Sequence, residues 1–324
     1  MGYEPGQKRE RTQEPQSLNR TNSALPVDGA VKAHMTMQSS NVEAAPPTVL
    51  ELKLAHSPDS DDAFMFYGLA TRKVPTGHLR FTHLLEDIET LNRKALDGVY
   101  DVTAISFHGY AYIADAYVLL PCGASFGDRY GPVVVARGPL GSAGLRGKRV
   151  AVPGKLTTAF LTLQLYEPEI EPLFTRFDQI LERVAGGEAD AGVVIHEGQL
   201  TYAQTGLTKV ADLGEWWHRE TGLPLPLGGN AIRRSLGRET VEQVATLIKQ
   251  SIQHGLDHRE EALAYAMQFS RGLDAATTDR FVTMYVNERT LQYGEEDRQA
   301  VQTLLDRGFA RGLLPGRVTA EFAE

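Results

Sequence analysis

A single cysteine, Cys122, stands in the 324 residues, so no disulfide can form within the chain and nothing marks an oxidising compartment. No apolar run approaches the roughly 18 residues that would span a bilayer. The N-terminus also lacks the apolar stretch of about 7–15 residues that follows basic residues in a secretory signal, and reading from Met35 or Met37 creates none. The expectation is a cytoplasmic protein with no membrane contact. Positive charge is scarce: 33 Lys and Arg face 41 Asp and Glu, for a net charge of −8. Without a Lys/Arg stripe, nucleic acid is excluded as a partner, and any anionic ligand must be held locally. Aromatics are nearly missing from residues 1–48, where Tyr3 stands alone among Glu, Gln, Arg, Asn, Ser and Pro. Such a segment buries too little surface to order itself, so residues 1–48 read as a disordered tail.

Several chemical signatures are absent or fail on inspection. There is no dinucleotide fingerprint, and Gly147-Lys148 is not a phosphate-binding loop, because Ser142 replaces the first glycine and Arg149 the final Ser/Thr. His196-Glu197 opens a zinc-helix pattern, yet residue 200 is Leu. No other His/Cys group has ligand spacing, so neither a metal nor an organic cofactor is expected. Gly123-Ala-Ser125-Phe-Gly127 matches the nucleophile elbow, but Asp-Arg-Tyr-Gly-Pro follows where that motif requires a helix. Asp59, Asp61 and Asp62 could attract a divalent ion, although a solvated acidic turn at a helix start is the simpler reading.

What is present is an α/β pattern. The apolar run Ala191–Ile195, short, β-branched and bounded by glycines, reads as a buried parallel strand. A helix with Ile180, Leu181 and Val184 on one face precedes it, and His196 stands at its carboxyl end, where open α/β sheets bind ligands. An imidazole there can accept a proton near neutral pH. The same order recurs upstream: a helix with Ile88, Leu91, Ala95 and Leu96, then Gly98-Val-Tyr-Asp101, an apolar strand and Ser106. Two such units predict two similar lobes sharing a cleft. Leu52–Ala55 is a further strand, leading into His56-Ser57-Pro58 and a helix over 63–70. Arg149–Val152 is another, followed by Pro153-Gly-Lys-Leu-Thr157-Thr158 and the helix Ala159–Leu165. A turn of this kind into a helix N-terminus leaves N–H groups free for an anion, and Thr157 and Thr158 add hydroxyls; ordinary Thr capping explains the same residues.

The chain past residue 48 is near the roughly 250–300 residues at which a single core divides. Leu213–Thr221 reads as a helix ended by Gly222, with Pro224 and Pro226 stiffening a return crossing. Of its two tryptophans, Trp216 and Trp217, one could face the cleft while the other packs in the core. Helical periods then continue over 238–312. The expected lobes are 49–138 plus 228–324, discontinuous in sequence, and 139–227.

Glu86-Asp-Ile-Glu-Thr-Leu-Asn92, Tyr100-Asp-Val-Thr103, Val152-Pro-Gly154, Thr157-Thr-Ala-Phe160, Val194-Ile-His-Glu197, Asp212-Leu-Gly-Glu-Trp-Trp217, Thr221-Gly-Leu-Pro224, Pro226-Leu-Gly-Gly229 and Tyr285-Val-Asn287 occur in order. Together they resemble the 1,4-dihydroxy-6-naphthoate synthases of the futalosine route to menaquinone, over roughly residues 50–315. The resemblance implies a two-lobed fold of the type II periplasmic-binding-protein kind, recruited as a cytoplasmic carbon–carbon lyase that converts cyclic dehypoxanthinyl futalosine to 1,4-dihydroxy-6-naphthoate without a cofactor. It implies His196 as the proton acceptor, and Ala104, Ile105, Ser106, Thr157, Thr158 and Ala159 as substrate-binding residues; Ser57 and Asp62 join them from the first strand's end. The ligand is a small carboxylate, and the sequence leaves oligomeric state open. The chain departs from the family at one place: Ser-Pro-Cys-Pro-Asn-Asp-Thr is replaced by Ser57-Pro58-Asp59-Ser60-Asp61-Asp62-Ala63, which adds polar groups beside the cleft. Two alternatives share the fold: a non-catalytic solute-binding protein, and the sibling chorismate dehydratase, a branch not characterised by the Ile195-His-Glu-Gly198 segment.

Overall fold

Two sheets follow the same βαβαβ course. In the computed structural model, which describes residues 48–141 and 144–323, β1 (Leu50–His56) leads through the helix Ser60–Ala70 to β2 (Leu79–Leu85), and the helix Ile88–Leu96 leads on to β3 (Val102–Ser106). β1 lies between β2 and β3 and is parallel to both. After β4 (Tyr117–Leu119) and β5 (Ser125–Gly127) the chain enters a second sheet with β6 (Val133–Ala136) and β7 (Arg149–Val152). The helix Thr158–Tyr166, β8 (Glu171–Phe174), the helix Ile180–Ala185 and β9 (Ala191–Val194) then repeat the pattern, with β7 parallel to β8 and β9 on either side. β10 (Thr208–Asp212) closes the second sheet in the order β10-β6-β9-β7-β8. β11 (Leu225–Arg233) returns antiparallel to β3, giving β2-β1-β3-β11-β4 with β5 also on β11. The tail expected over residues 1–48 lies outside the described residues, save Thr48.

The changeovers between sheets differ from the expected 138/139 and 227/228. Val133–Ala136 pairs with both β9 and β10 in the second sheet, because four consecutive buried positions need neighbours on each side. β11 is already paired from Leu225.

The two Gly-x-x-Asp units are structurally equivalent. Gly98 and Gly187 both take positive φ (62° and 84°) after their helices, a conformation that glycine adopts without steric cost. Asp101 donates its N–H to the carbonyl of Lys53 and accepts the Lys53 N–H on its carboxylate at 2.8 Å. Asp190 does the same with Arg149, at 3.0 Å for the carboxylate contact. Each aspartate thereby locks the start of the last strand of its βαβαβ unit to the unit's first strand, β1 or β7.

The helix Ser60–Ala70 is buried almost all round, so its apolar residues do not segregate to one face. It is sandwiched by the helix Arg238–Asp257, whose Val244, Ile248 and Ile252 share a core with Leu52, Leu54 and Phe64. Burial of each such side chain contributes about 1.5–3 kcal/mol. This packing sets the C-terminal helices against the first sheet and encloses the acidic start of Ser60–Ala70.

Candidate active site

All nine residues singled out from the sequence, His196, Ser57, Asp62, Ala104, Ile105, Ser106, Thr157, Thr158 and Ala159, line one cavity. They come from the carboxyl ends of β1, β3 and β7 and from just past β9, so both sheets contribute walls.

Asn92 and Glu89, on the helix Ile88–Leu96, hold the turn after β7. The buried Asn92 amide donates to Ser106 Oγ (3.0 Å) and to the Leu156 carbonyl (3.3 Å), while its oxygen accepts the Ser106 N–H (2.9 Å). Glu89 accepts the Leu156 N–H at 2.9 Å. A Cβ on Gly154 would lie 2.6 Å from Glu89 Cβ, which is why this turn needs glycine. Thr157 is the N-cap of Thr158–Tyr166, accepting the Phe160 N–H and donating to the Gly154 carbonyl. Thr158 Oγ1 accepts the His108 N–H at 3.2 Å and retains its own proton for a further partner. The N–H groups of Thr158 and Ala159, in the first helical turn, face no acceptor among the described residues. Capping and anion binding therefore coexist: Thr157 caps, while Thr158 and the helix start keep free donors.

His196 follows β9 with φ 53°, the left-handed region that non-glycine residues rarely adopt. Its Nδ1 lies 2.9 Å from Asp59 Oδ2, and its ring makes an edge-to-face pair with Phe177, the centroids 4.9 Å apart. Asp59 is only 2% exposed and is also the N-cap of Ser60–Ala70, accepting the Asp62 N–H. The acidic trio is thus not the solvated turn expected from sequence. Burial opposes ionisation of Asp59, but the charge and hydrogen bond of His196, a hydrogen bond from Asp61 and the charge of Arg271 hold it at about 2. Asp61, by contrast, is pushed well above the usual carboxylate range, by burial and then by the charges of Asp59 and Asp62. Its Oδ1 is buried without a partner. Asp62 is also raised, by burial and by Asp59, while its Oδ2 accepts the Ser57 N–H at 2.7 Å. Asp59, Asp61 and His196 could each turn one atom toward a cation within 4.8 Å of the others, but the 2.9 Å contact is that of a hydrogen bond.

Glu197 turns the other way from its neighbour. It is buried, accepts the Ser60 hydroxyl at 3.0 Å and pairs with Arg271 at 2.7 Å. Arg271 also donates to the Pro58 carbonyl and lies over the Phe177 ring. One arginine thus ties the loops after β1 and β9 together beside the cavity.

Sequence reasoning set aside or overlooked several lining residues. Ser125, rejected as a nucleophile, lines the cavity from β5 with no helix following. Gly228 pairs with Ser106 on β3, and a Cβ there would meet the Ile105 carbonyl at 2.9 Å. Phe281, Gln199 and Tyr285 also line it, with the Tyr285 hydroxyl on Gln199 at 2.9 Å; Tyr285-Val-Asn287 was the available signal. Neither tryptophan is among the lining residues. Trp217 is core, its indole N–H bonded to the Pro224 carbonyl, and Trp216 packs on Tyr166. His108 lies behind the threonine turn with Nδ1 at the Thr157 carbonyl, held down to about 4 chiefly by burial.

A family model described as menaquinone biosynthesis matches residues 52–310. The 1,4-dihydroxy-6-naphthoate synthase of Thermus thermophilus is 44% identical over 262 residues, covering 81% of this chain and 95% of that protein. That of Streptomyces coelicolor is 38% identical over 270 residues, covering 82% and 95%. The chain belongs to the 1,4-dihydroxy-6-naphthoate synthase family of menaquinone biosynthesis. Membership makes it an enzyme of that synthesis. A crystal structure of a protein from Archaeoglobus fulgidus is 48% identical to this synthase-family chain, with a TM-score of 0.79 over 82% of this chain and 98% of the other. The alkanesulfonate-binding protein SsuA of Xanthomonas axonopodis, bound to MOPS, has 16% identity and a TM-score of 0.65, covering 86% of this chain and 98% of SsuA. That likeness identifies the fold as periplasmic-binding-protein-like. Among the described residues of this family member, no helix is long and apolar enough to cross a membrane.

Proposed function

We propose that the chain cleaves a carbon–carbon bond of cyclic dehypoxanthinyl futalosine to release 1,4-dihydroxy-6-naphthoate, with His196 as the proton acceptor that starts the reaction. The observation that carries this reading is the 2.9 Å pair of the partly buried His196 with the buried Asp59, lining the same cavity as a helix start with free N–H donors. A protein that only bound a carboxylate would need the donors but not the paired imidazole. The substrate carboxylate is held by Thr158 and the N–H groups of Thr158 and Ala159, with Ser57, Asp62 and the β3 end Ala104-Ile105-Ser106 shaping the rest. His196 then removes a proton, the bond breaks, and formation of the aromatic ring drives the release of a sugar-derived fragment. The enclosing walls restrict water and fix geometry. We infer a cytoplasmic reaction with a small carboxylate as the partner, supported by the lone cysteine and the free donors at the helix start.

The test is incubation of the purified protein with cyclic dehypoxanthinyl futalosine and, separately, with chorismate, followed by mass analysis. Dihydroxynaphthoate from the first is the expected product. Dehydration of chorismate would assign the sibling reaction, and binding without turnover of either would leave a solute-binding protein.

A further inference from the structure

We propose that Asp59 is a positioning residue, whose buried carboxylate holds His196 with its proton on Nδ1 and so leaves Nε2 as the acceptor on the cavity side. The proposal rests on the reading of His196 as the base. Three observations carry it. The Asp59 carboxylate is 2% exposed and its Oδ2 lies 2.9 Å from His196 Nδ1, the geometry of a charge-assisted hydrogen bond in which the ring nitrogen donates. Its other oxygen caps an eleven-residue helix by accepting the Asp62 N–H, so the carboxylate cannot swing away without uncapping that helix. Burial and the charges of Asp59 and Asp62 push the neighbouring Asp61 well above the usual carboxylate range while Asp59 is held below it, which favours the charge on Asp59. The imidazole is meanwhile held on a left-handed backbone and against Phe177. A neutral imidazole has one donor and one acceptor nitrogen, and the partner of one decides the role of the other.

The experiment reads the tautomer and the kinetics together. Histidine-labelled protein is examined by 15N–1H correlation above the titration range of histidine, with His196→Asn identifying the resonance. A proton on Nδ1 is expected in the wild type; a proton on Nε2 overturns the proposal, and this arm needs no Asp59 variant to fold. In Asp59→Asn the amide can donate to Nδ1 and select the wrong tautomer, a change that costs ~10⁴ in kcat in serine-protease triads. Here kcat is expected to fall by roughly 10²–10⁴ with KM changed less than about threefold, and the His196 proton to move to Nε2. Asp59→Ser, which is smaller and uncharged and keeps an oxygen to cap the helix, is the second variant should the amide misfold, with the same fall in kcat expected. Full kcat in a folded Asp59 variant overturns the proposal. If His196→Asn also turns over normally, the base assignment itself fails; if His196→Asn is inactive while Asp59→Asn is fully active, only the positioning role fails.

Discussion

At the carboxyl end of β1 the chain places His56, Ser57 and the three carboxyls of Asp59, Asp61 and Asp62; at the matching end of β7 it places Gly154 and two threonine hydroxyls. The strands are wired alike. Each lies parallel between two neighbours, and each is locked to a third strand by an aspartate in the same two hydrogen bonds. The third strands diverge as well: β3 ends in Ser106, bonded to Asn92, and β9 runs on to His196, paired with Asp59 across the cleft. The comparison separates frame from function. The frame needs the repeated helix, glycine, aspartate and strand, whereas the chemistry arises only where the unlike ends of the two frames meet.

The strongest way to break that division is at the two strand ends with opposite duties. His196→Asn keeps much of the shape and tolerates the left-handed backbone but cannot accept the proton, so kcat should fall by roughly 10²–10⁴ while the melting temperature stays within a few degrees. Normal turnover in a normally melting variant would make His196 part of the frame.

His56 and Val152 occupy equivalent places on β1 and β7, since Leu54 pairs with Val102 as Val150 pairs with Ala191. At this place the first sheet carries a titratable side chain and the second does not. Burial, then the charge of His83, holds His56 to about 3 against 6.5 when free. The folded form therefore binds fewer protons than the unfolded one between those values. Stability is fully present above about pH 6.5 and is lost as the pH falls toward 3, by about 1.4 kcal/mol per unit, or about 2 kcal/mol by pH 5. Denaturant titrations of His56→Asn should show a flatter decline between pH 7 and 5 than the wild type. Parallel declines would mean that other groups control the acid limb.

On the second sheet, Thr158→Val removes the hydroxyl but keeps the shape. An apparent binding loss on the order of 1.5–3 kcal/mol is expected, the range for hydrogen bonds to a charged group, read as a raised KM. Unchanged constants would leave that position to the His108 contact alone. The smallest effects test the frame itself. Asp101→Ala and Asp190→Ala should each lower stability by about 1 kcal/mol, because both lose a partly exposed carboxylate hydrogen bond to a backbone N–H, and the long 3.9 Å pairing of Asp101 with Arg233 adds little. A difference above about 1 kcal/mol between them, measured by denaturant unfolding, would show that the two locks are not equivalent.

The frame was legible because its signals are local. The helix faces, the glycines and aspartates, and the short apolar runs are each fixed by neighbours in sequence; His196, Ser106, Thr157 and Thr158 were found by asking what stands at strand ends, whereas Ala104, Ile105, Ala159, Ser57 and Asp62 came with the family resemblance. Val133–Ala136 was misplaced because an apolar run that is buried at every position fits the interior of either sheet. The acidic trio was misread for a different reason. Asp59-Ser-Asp-Asp62 has the local look of a solvated helix start, and its burial is imposed by Arg238–Asp257, Arg271 and the helix Ala275–Tyr285, some two hundred residues away. Tyr285 and Phe281 reach the cavity by the same route, so their helical period shows the face they bury but not what they bury it against.

The left-handed backbone at His196 carries a consequence for how this sequence can drift. A non-glycine residue there costs about 1–2 kcal/mol, which glycine would avoid and asparagine would lessen. A library of this chain selected for heat resistance alone should therefore accumulate Gly or Asn at 196, keeping both sheets and the threonine turn while discarding the imidazole. The sequence space around this protein then slopes from catalyst toward mere binder, and the histidine persists only under selection for its product.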